Sequence, residues 1–250
     1  MNVFIIAFAV GGATMLGSVA GYALRYNNKK IDGAVFSFSA GIMTAASFSE
    51  LILPCADEGT LMFMCCLLGI IFGGALIVVL QRFIRIFEKR FPPLRGDLTE
   101  DKTQKRNGAL LFAAAIAIHN LPEGLAAGVG AASGDVKKAV TIAAGIALQN
   151  VPEGMIVIPP LTHAGLSRKK AALISVFTGV IEIIGTFLGY FAASAAEKIM
   201  PVILCVAGGT MLYIICADIL VDGAEAAGKK ASGFSFLAGC CAMLVMERMF

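Results

Sequence analysis

Two short stretches, HNLPEG (His119–Gly124) and QNVPEG (Gln149–Gly154), put an imidazole, three amides and two carboxylates into otherwise apolar sequence. On a helix, side chains three or four residues apart share a face. His119 and Glu123 therefore point the same way with Asn120 beside them, and Gln149, Asn150 and Glu153 do likewise. Pro122 crowds the carbonyl of Ile118 and Pro152 that of Leu148, which predicts a helix kink beside each set of side chains. Gly124 and Gly154 leave room for an opposing helix.

An ionised carboxylate in hydrocarbon costs at least about 2.5–3.5 kcal/mol, and two facing carboxylates also repel. A divalent cation between them removes both penalties. Imidazole, carboxylate and amide oxygens suit first-row divalent ions such as zinc or iron rather than copper(I) or an iron–sulfur cluster. A third acid, Glu182, lies mid-helix in GVIEIIGTF. Three glutamates can bridge two cations about 3.5–4 Å apart, the spacing of two-metal sites.

The elements that position these groups must cross a membrane. Of 250 residues 58% are hydrophobic, 15% are charged and none is tryptophan, whereas a soluble domain carries about 25% charged residues. Apolar runs of about 20 residues, enough to cross a bilayer, occur eight times. They cover roughly residues 3–25, 33–54, 60–87, 108–132, 137–160, 170–196, 200–222 and 231–249. The reading is an all-α integral membrane protein forming a single domain over residues 1–250. Its longest polar stretch, about residues 88–107, is expected to be a cytoplasmic loop. The N-terminal run has no positive leading segment and exceeds the length of a signal-peptide core, so it reads as a retained first helix.

Sixteen of the 20 Lys and Arg residues lie in or beside the loops after helices 1, 3, 5 and 7. Positive loops stay cytoplasmic, which predicts that both termini face outside, and topology accounts for the basic loops without any nucleic acid. The seven cysteines show no CxxC spacing and read as packing residues.

Helices 4 and 5 align without gaps at an offset of 30 residues. At an offset of 168, GGATMLGSVAGY (11–22) lies over GVIEIIGTFLGY (179–190), and AGIMTAASFSELIL (40–53) over GGTMLYIICADILV (208–221). Glu182 thereby pairs with Thr14, and Glu50 with Asp218. Helices 3 and 8 show no useful alignment. Helices 1 and 6 differ by five in order and helices 4 and 5 by one, so each pair crosses in opposite directions. Such inverted-topology repeats, here three helices, two, then three, characterise many carriers whose substrate sites lie near the midplane.

Blander readings hold elsewhere. His163, after Pro159-Pro160, reads as a solvated loop residue, and Asp57, Glu58, Asp222 and Glu225 as solvated loop acids. Glu50 and Asp218 read as interfacial charges near helix ends, and Met43 and Met211 as packing.

HNLPEG, QNVPEG, the E-x-x-G of Glu182–Gly185 and the AGIM…ELILP of helix 2 resemble the ZIP (Zrt/Irt-like) metal transporters of bacterial type, and the resemblance covers nearly the whole chain. It implies uptake of divalent metal into the cytoplasm across the cell (inner) membrane: zinc first, with iron, manganese, cadmium or cobalt as other cargo. The metal would be substrate, not cofactor. The resemblance also implies a homodimer, a mid-membrane binuclear site, and alternating access in which helices 1, 4, 5 and 6 slide against helices 2, 3, 7 and 8. One metal would use His119, Glu123, Gln149 and Glu153. The other would use Asn120, Asn150 and Glu182, with Glu123 and Glu153 bridging. The chain departs from the family in having Gln149 where many members have histidine, in lacking a histidine cluster in the loop after helix 3, and in having Ile183 after the helix 6 glutamate. Two other function classes use similar ligands, an intramembrane metal-dependent hydrolase and a metal channel. A hydrolase needs an open metal position and a general base, and no H-E-x-x-H occurs.

Overall fold

The computed structural model describes residues 2–24, 28–53, 59–90, 100–193 and 199–249. These residues are almost wholly helical and contain eight helices long and apolar enough to cross a membrane. They are α1 (Val3–Ala23), α2 (Lys29–Ile52), α3 (Thr60–Arg90), α4 (Glu100–Ala132), α5 (Val136–Ile156 continued by Ile158–His163), α6 (Arg168–Phe191), α7 (Met200–Ala227) and α8 (Lys229–Met249).

The boundaries have local causes. Asn2, Asn28 and Ser167 accept backbone N–H bonds at the starts of α1, α2 and α6, the side-chain caps that open helices most favourably. Gly228, at φ +85°, closes α7 in a conformation that side chains with a Cβ avoid. Helix α7 runs five residues beyond its predicted end, so Asp222 and Glu225 are helical rather than loop residues. His163 likewise ends a helical segment that begins one residue before Pro159. The polar stretch after α3 is helical up to Arg90 and again from Glu100. Its centre, like Asp57 and Glu58, lies outside the described residues.

Two groups of helices pack most closely within themselves: α1, α4, α5 and α6 in one, α2, α3, α7 and α8 in the other. Large apolar side chains such as Phe8, Leu16, Phe72, Phe177 and Leu237 point outward, as lipid-facing positions require. The buried seams are made instead of glycine, alanine, serine and threonine. Without a hydrophobic drive between helices in lipid, close backbone approach supplies much of the association energy.

These approaches follow the sequence repeat. A Cβ at Gly17 would meet the carbonyl of Val151, and one at Gly185 would meet that of Leu121. Gly154 packs on Thr14 and Ser18, and Gly124 on Glu182 and Thr186. Each pair of glycines and each pair of partners is related by the 168- or 30-residue offset. Gly11 and Gly179, themselves equivalent, pack on each other. The second group repeats in the same manner. Gly41 meets Phe236 and Gly209 meets Ile70, while Gly239 meets Phe38 and Gly73 meets Val206. Helices 3 and 8 are thus in register at an offset of 166, a correspondence that their sequences do not display. Two π-helical segments, Ser47–Ile52 in α2 and Ile215–Ile219 in α7, begin 168 residues apart. They carry Glu50 and Asp218 at the same position.

These contacts leave no space for side chains. Gly17→Leu is expected to lower stability by about 1–3 kcal/mol or more, the cost of overpacking a tight seam. Gly12→Leu, on the same helix but facing open space, should be close to neutral. Thermal unfolding of the two variants in detergent micelles checks the contrast.

Candidate metal centre

Glycine contacts set the depth of the two N-x-P-E-G motifs. Gly124 draws α4 onto α6 at Glu182, and Gly154 draws α5 onto α1 at Thr14. The turns immediately preceding these glycines then face one another. All seven candidate side chains are at most 1% exposed: His119, Asn120, Glu123, Gln149, Asn150, Glu153 and Glu182.

One ligand atom from each of His119, Glu123 and Glu153 lies within 4.8 Å of the other two, a cluster that could hold a metal ion. His119 Nε2 is 3.2 Å from Glu153 Oε2. Gln149 donates its amide to Glu123 Oε1 at 2.6 Å. Glu182 is held separately. Thr14 donates to its Oε2 at 2.9 Å, and Asn150 donates to its Oε1 and, at 3.2 Å, to the Val10 carbonyl. Thr14 and Glu182 are repeat equivalents, so this hydrogen bond spans the repeat as the Gly11–Gly179 contact does. The sequence paired the two residues by register but gave no sign that they touch.

Much polar capacity has no protein partner. His119 Nδ1, both amide atoms of Asn120, one oxygen on each of Glu123 and Glu153, Gln149 Oε1 and Asn150 Oδ1 are buried without a hydrogen bond. Leaving one such group unsatisfied costs about 1–3 kcal/mol, and more when it is charged. Hydrogen bonds among these residues do not neutralise three carboxylates. A cation does, and the unpartnered atoms are mostly the oxygen and nitrogen donors that it would take.

Glu50 is not an ordinary interfacial charge. Its carboxylate occupies the space that a Cβ at Gly145 would need, one helical turn before Gln149. Its Oε2 is buried without a partner. The neighbouring Ser49 donates to Glu247 of α8. Met43 and Met211 are fully buried in one apolar cluster, which agrees with a packing role. Cys65, Cys66, Cys205, Cys216, Cys240 and Cys241 form no disulfide.

An eight-helix membrane fold around a buried imidazole–carboxylate–amide cage defines a class, the polytopic transporters of small cations. Comparisons with known proteins narrow it. The family model described as ZIP Zinc transporter matches residues 95–247. Zinc transporter GufA of Myxococcus xanthus is 28% identical over 253 residues, covering 97% of this chain and 96% of that protein. Zinc transporter ZupT of Chlorobium luteolum is 31% identical over 252 residues, covering 96% and 94%. Zinc transporter ZIP11 of Xenopus tropicalis is 26% identical over 313 residues, covering 94% and 93%. The chain belongs to the ZIP family. It is a multi-pass membrane transporter of divalent metal rather than an enzyme, and metal ions are its substrates rather than its cofactors.

The fit of Glu50 against Gly145 gives a direct test of this geometry. Gly145→Ala is expected to push the Glu50 carboxylate, the far end of a flexible side chain, out of this space at a cost of about 0.5–1.5 kcal/mol, and Glu50→Ala in the same chain should remove that cost. A double-mutant cycle on thermal stability reads the coupling, which additivity would set to zero.

Proposed function

We propose that the protein takes up zinc into the cytoplasm by alternating access, through a mid-membrane site that holds two cations. The cluster of His119, Glu123 and Glu153 carries the reading. It is a buried set of nitrogen and oxygen ligands with anionic charge that the protein leaves uncompensated. One cation takes His119, Glu123, Gln149 and Glu153. The second takes Asn120, Asn150 and Glu182, and Glu123 and Glu153 bridge the pair.

A borderline imidazole beside hard oxygens suits zinc. With a single nitrogen ligand the site also admits iron, manganese, cadmium or cobalt. The relatives above are all named as zinc transporters, which supports zinc as the first cargo.

The 3+2+3 arrangement serves as an inverted repeat whose two groups of helices move past each other, α1, α4, α5 and α6 against the rest. The whole chain acts as one domain in the cell membrane, with both termini outside and the segment after α3 in the cytoplasm, and it pairs as a homodimer. A channel would use the same ligands. The enclosed cage favours a carrier, because a cation held by two bridging carboxylates leaves only when its surroundings rearrange.

In proteoliposomes, Glu123→Gln and Glu153→Gln are each expected to abolish zinc flux while leaving folded protein in the membrane. Wild-type flux in either variant overturns the proposal, and single-channel currents in the parent protein would replace the carrier with a channel. Glu182→Thr copies the side chain of the repeat-equivalent Thr14 and so should fold. It is expected to bind one zinc per chain where the parent binds two. Two retained, or none, shows that Glu182 is not the second cation's own ligand.

A further inference from the structure

A serine or threonine inside a helix often returns its hydroxyl to the carbonyl four residues back. Ser18, Ser37, Thr44, Ser47 and Thr186 all do so. Thr14 does not. The carbonyl four residues before it is that of Val10, which accepts the side-chain amide of Asn150 at 3.2 Å. The Thr14 hydroxyl crosses instead to α6 and donates to Glu182 Oε2 at 2.9 Å. One turn of α1 thus meets both Asn150 and Glu182, through a carbonyl and a hydroxyl.

Each contact fixes an orientation. A carbonyl only accepts, so the Asn150 atom that faces Val10 is its nitrogen. The same nitrogen donates to Glu182 Oε1, and Asn150 Oδ1 is left buried with no protein partner. Glu182 therefore has a donor on each oxygen, Asn150 on one and Thr14 on the other. Glu123 and Glu153 differ, since each keeps a buried oxygen without a hydrogen bond. The last torsion of a glutamate is broad, so a carboxylate held by one donor can still turn. Two donors on two oxygens fix its plane. Each oxygen retains a second lone pair, which the donors leave for an ion. Thr14 is completely buried, so bulk water does not stand in for its hydroxyl.

We propose that Thr14 is the positioning residue of the second cation: its hydroxyl holds the Glu182 carboxylate in the plane in which that ion binds. The proposal rests on the two-cation reading above. It gives the unequal repeat a division of labour, in which the α6 copy supplies a ligand and the α1 copy supplies its support. The first cation's ligands, His119, Gln149 and the bridging glutamates, make no hydrogen bond to Thr14 among the described residues.

The test is calorimetric titration of the full chain with zinc in detergent, with the parent expected to bind two equivalents. Thr14→Val keeps the shape of the side chain and removes the donor. It is expected to bind one equivalent at the parent's affinity and the other about 10–100-fold more weakly, the usual cost of losing a hydrogen bond to a metal ligand. Thr14→Ala removes the same donor without the bulk, and it reads the same loss if the valine variant does not fold. Thr14→Ser keeps the hydroxyl, loses the methyl group and should bind like the parent. Two unchanged equivalents in the valine or alanine variant overturn the proposal. So does an equal weakening of both, or a serine variant as weak as valine, since either outcome marks a packing role. Failure of the two-cation reading looks different, because the parent itself would then bind a single zinc, and the role of Thr14 falls with it.

Discussion

The fold depends on helices meeting backbone to backbone across glycine. In lipid a leucine gains little by leaving one apolar neighbour for another, so helices associate where their main chains can come close. Gly17, Gly124, Gly154 and Gly185 create such places, and they lie within a turn or two of the charged residues. The same contacts that hold α1, α4, α5 and α6 together therefore set the depth of His119, Glu123, Glu153 and Glu182. Stability and site geometry have a common origin here. A methyl group added at a seam would press on the backbone that carries a candidate ligand.

That dependence explains why so much of the centre could be read from sequence. Carboxylates are costly in a membrane-spanning run, so Glu123, Glu153 and Glu182 stand out against their surroundings, and the doubled motif ties two of them to one depth. The eight spans stood out for a similar reason, since length and hydropathy suffice to define them. Other features left no such trace. The match of α3 with α8 lies in the spacing of Gly73 and Gly239 against their partner helices, and their lipid-facing residues vary without penalty. The π-helical segments leave no compositional mark, because adding one residue to a turn requires no particular side chain. Asp222, Glu225 and His163 were read as loop residues since polar character alone cannot separate a helix end from a loop. Capping decides that boundary, and the glycine that closes α7 lies beyond both Asp222 and Glu225.

The repeat is close in backbone and loose in side chains, and its departures fall on positions of the candidate site. Thr14 and Glu182 occupy equivalent places and hydrogen-bond to each other. Had both been glutamate, two carboxylates would face each other at the contact. Had both been threonine, the third acid would be lost. One hydroxyl donating to one carboxylate keeps the acid without a second buried charge. A hydrogen bond to a charged acceptor is worth roughly 1.5–3 kcal/mol, enough to orient Glu182 but not to remove its charge.

The same logic distinguishes the two ends of the molecule. Glu50 fits against Gly145, where the absence of a Cβ admits its carboxylate. The repeat-equivalent residues are Asp218 and Ala115, an acid shorter by one carbon and a position that carries a methyl group. The notch therefore cannot be reproduced at the other end, even though the π-helical segment bearing the acid is. What stands there instead is the crevice bounded by Phe36, Phe112, Ile219 and Asp222. A perfectly symmetric pair of repeats would close both ends alike. With Gly145 matched by Ala115 and Glu50 by Asp218, one end has a carboxylate packed on backbone and the other is lined by aromatic and aliphatic side chains. Alternating access needs two arrangements of similar energy that differ in which end is shut. In the alternating access proposed above, unequal ends on a repeated backbone would let the chain set that balance through a few side chains, without altering the glycine seams on which the fold rests.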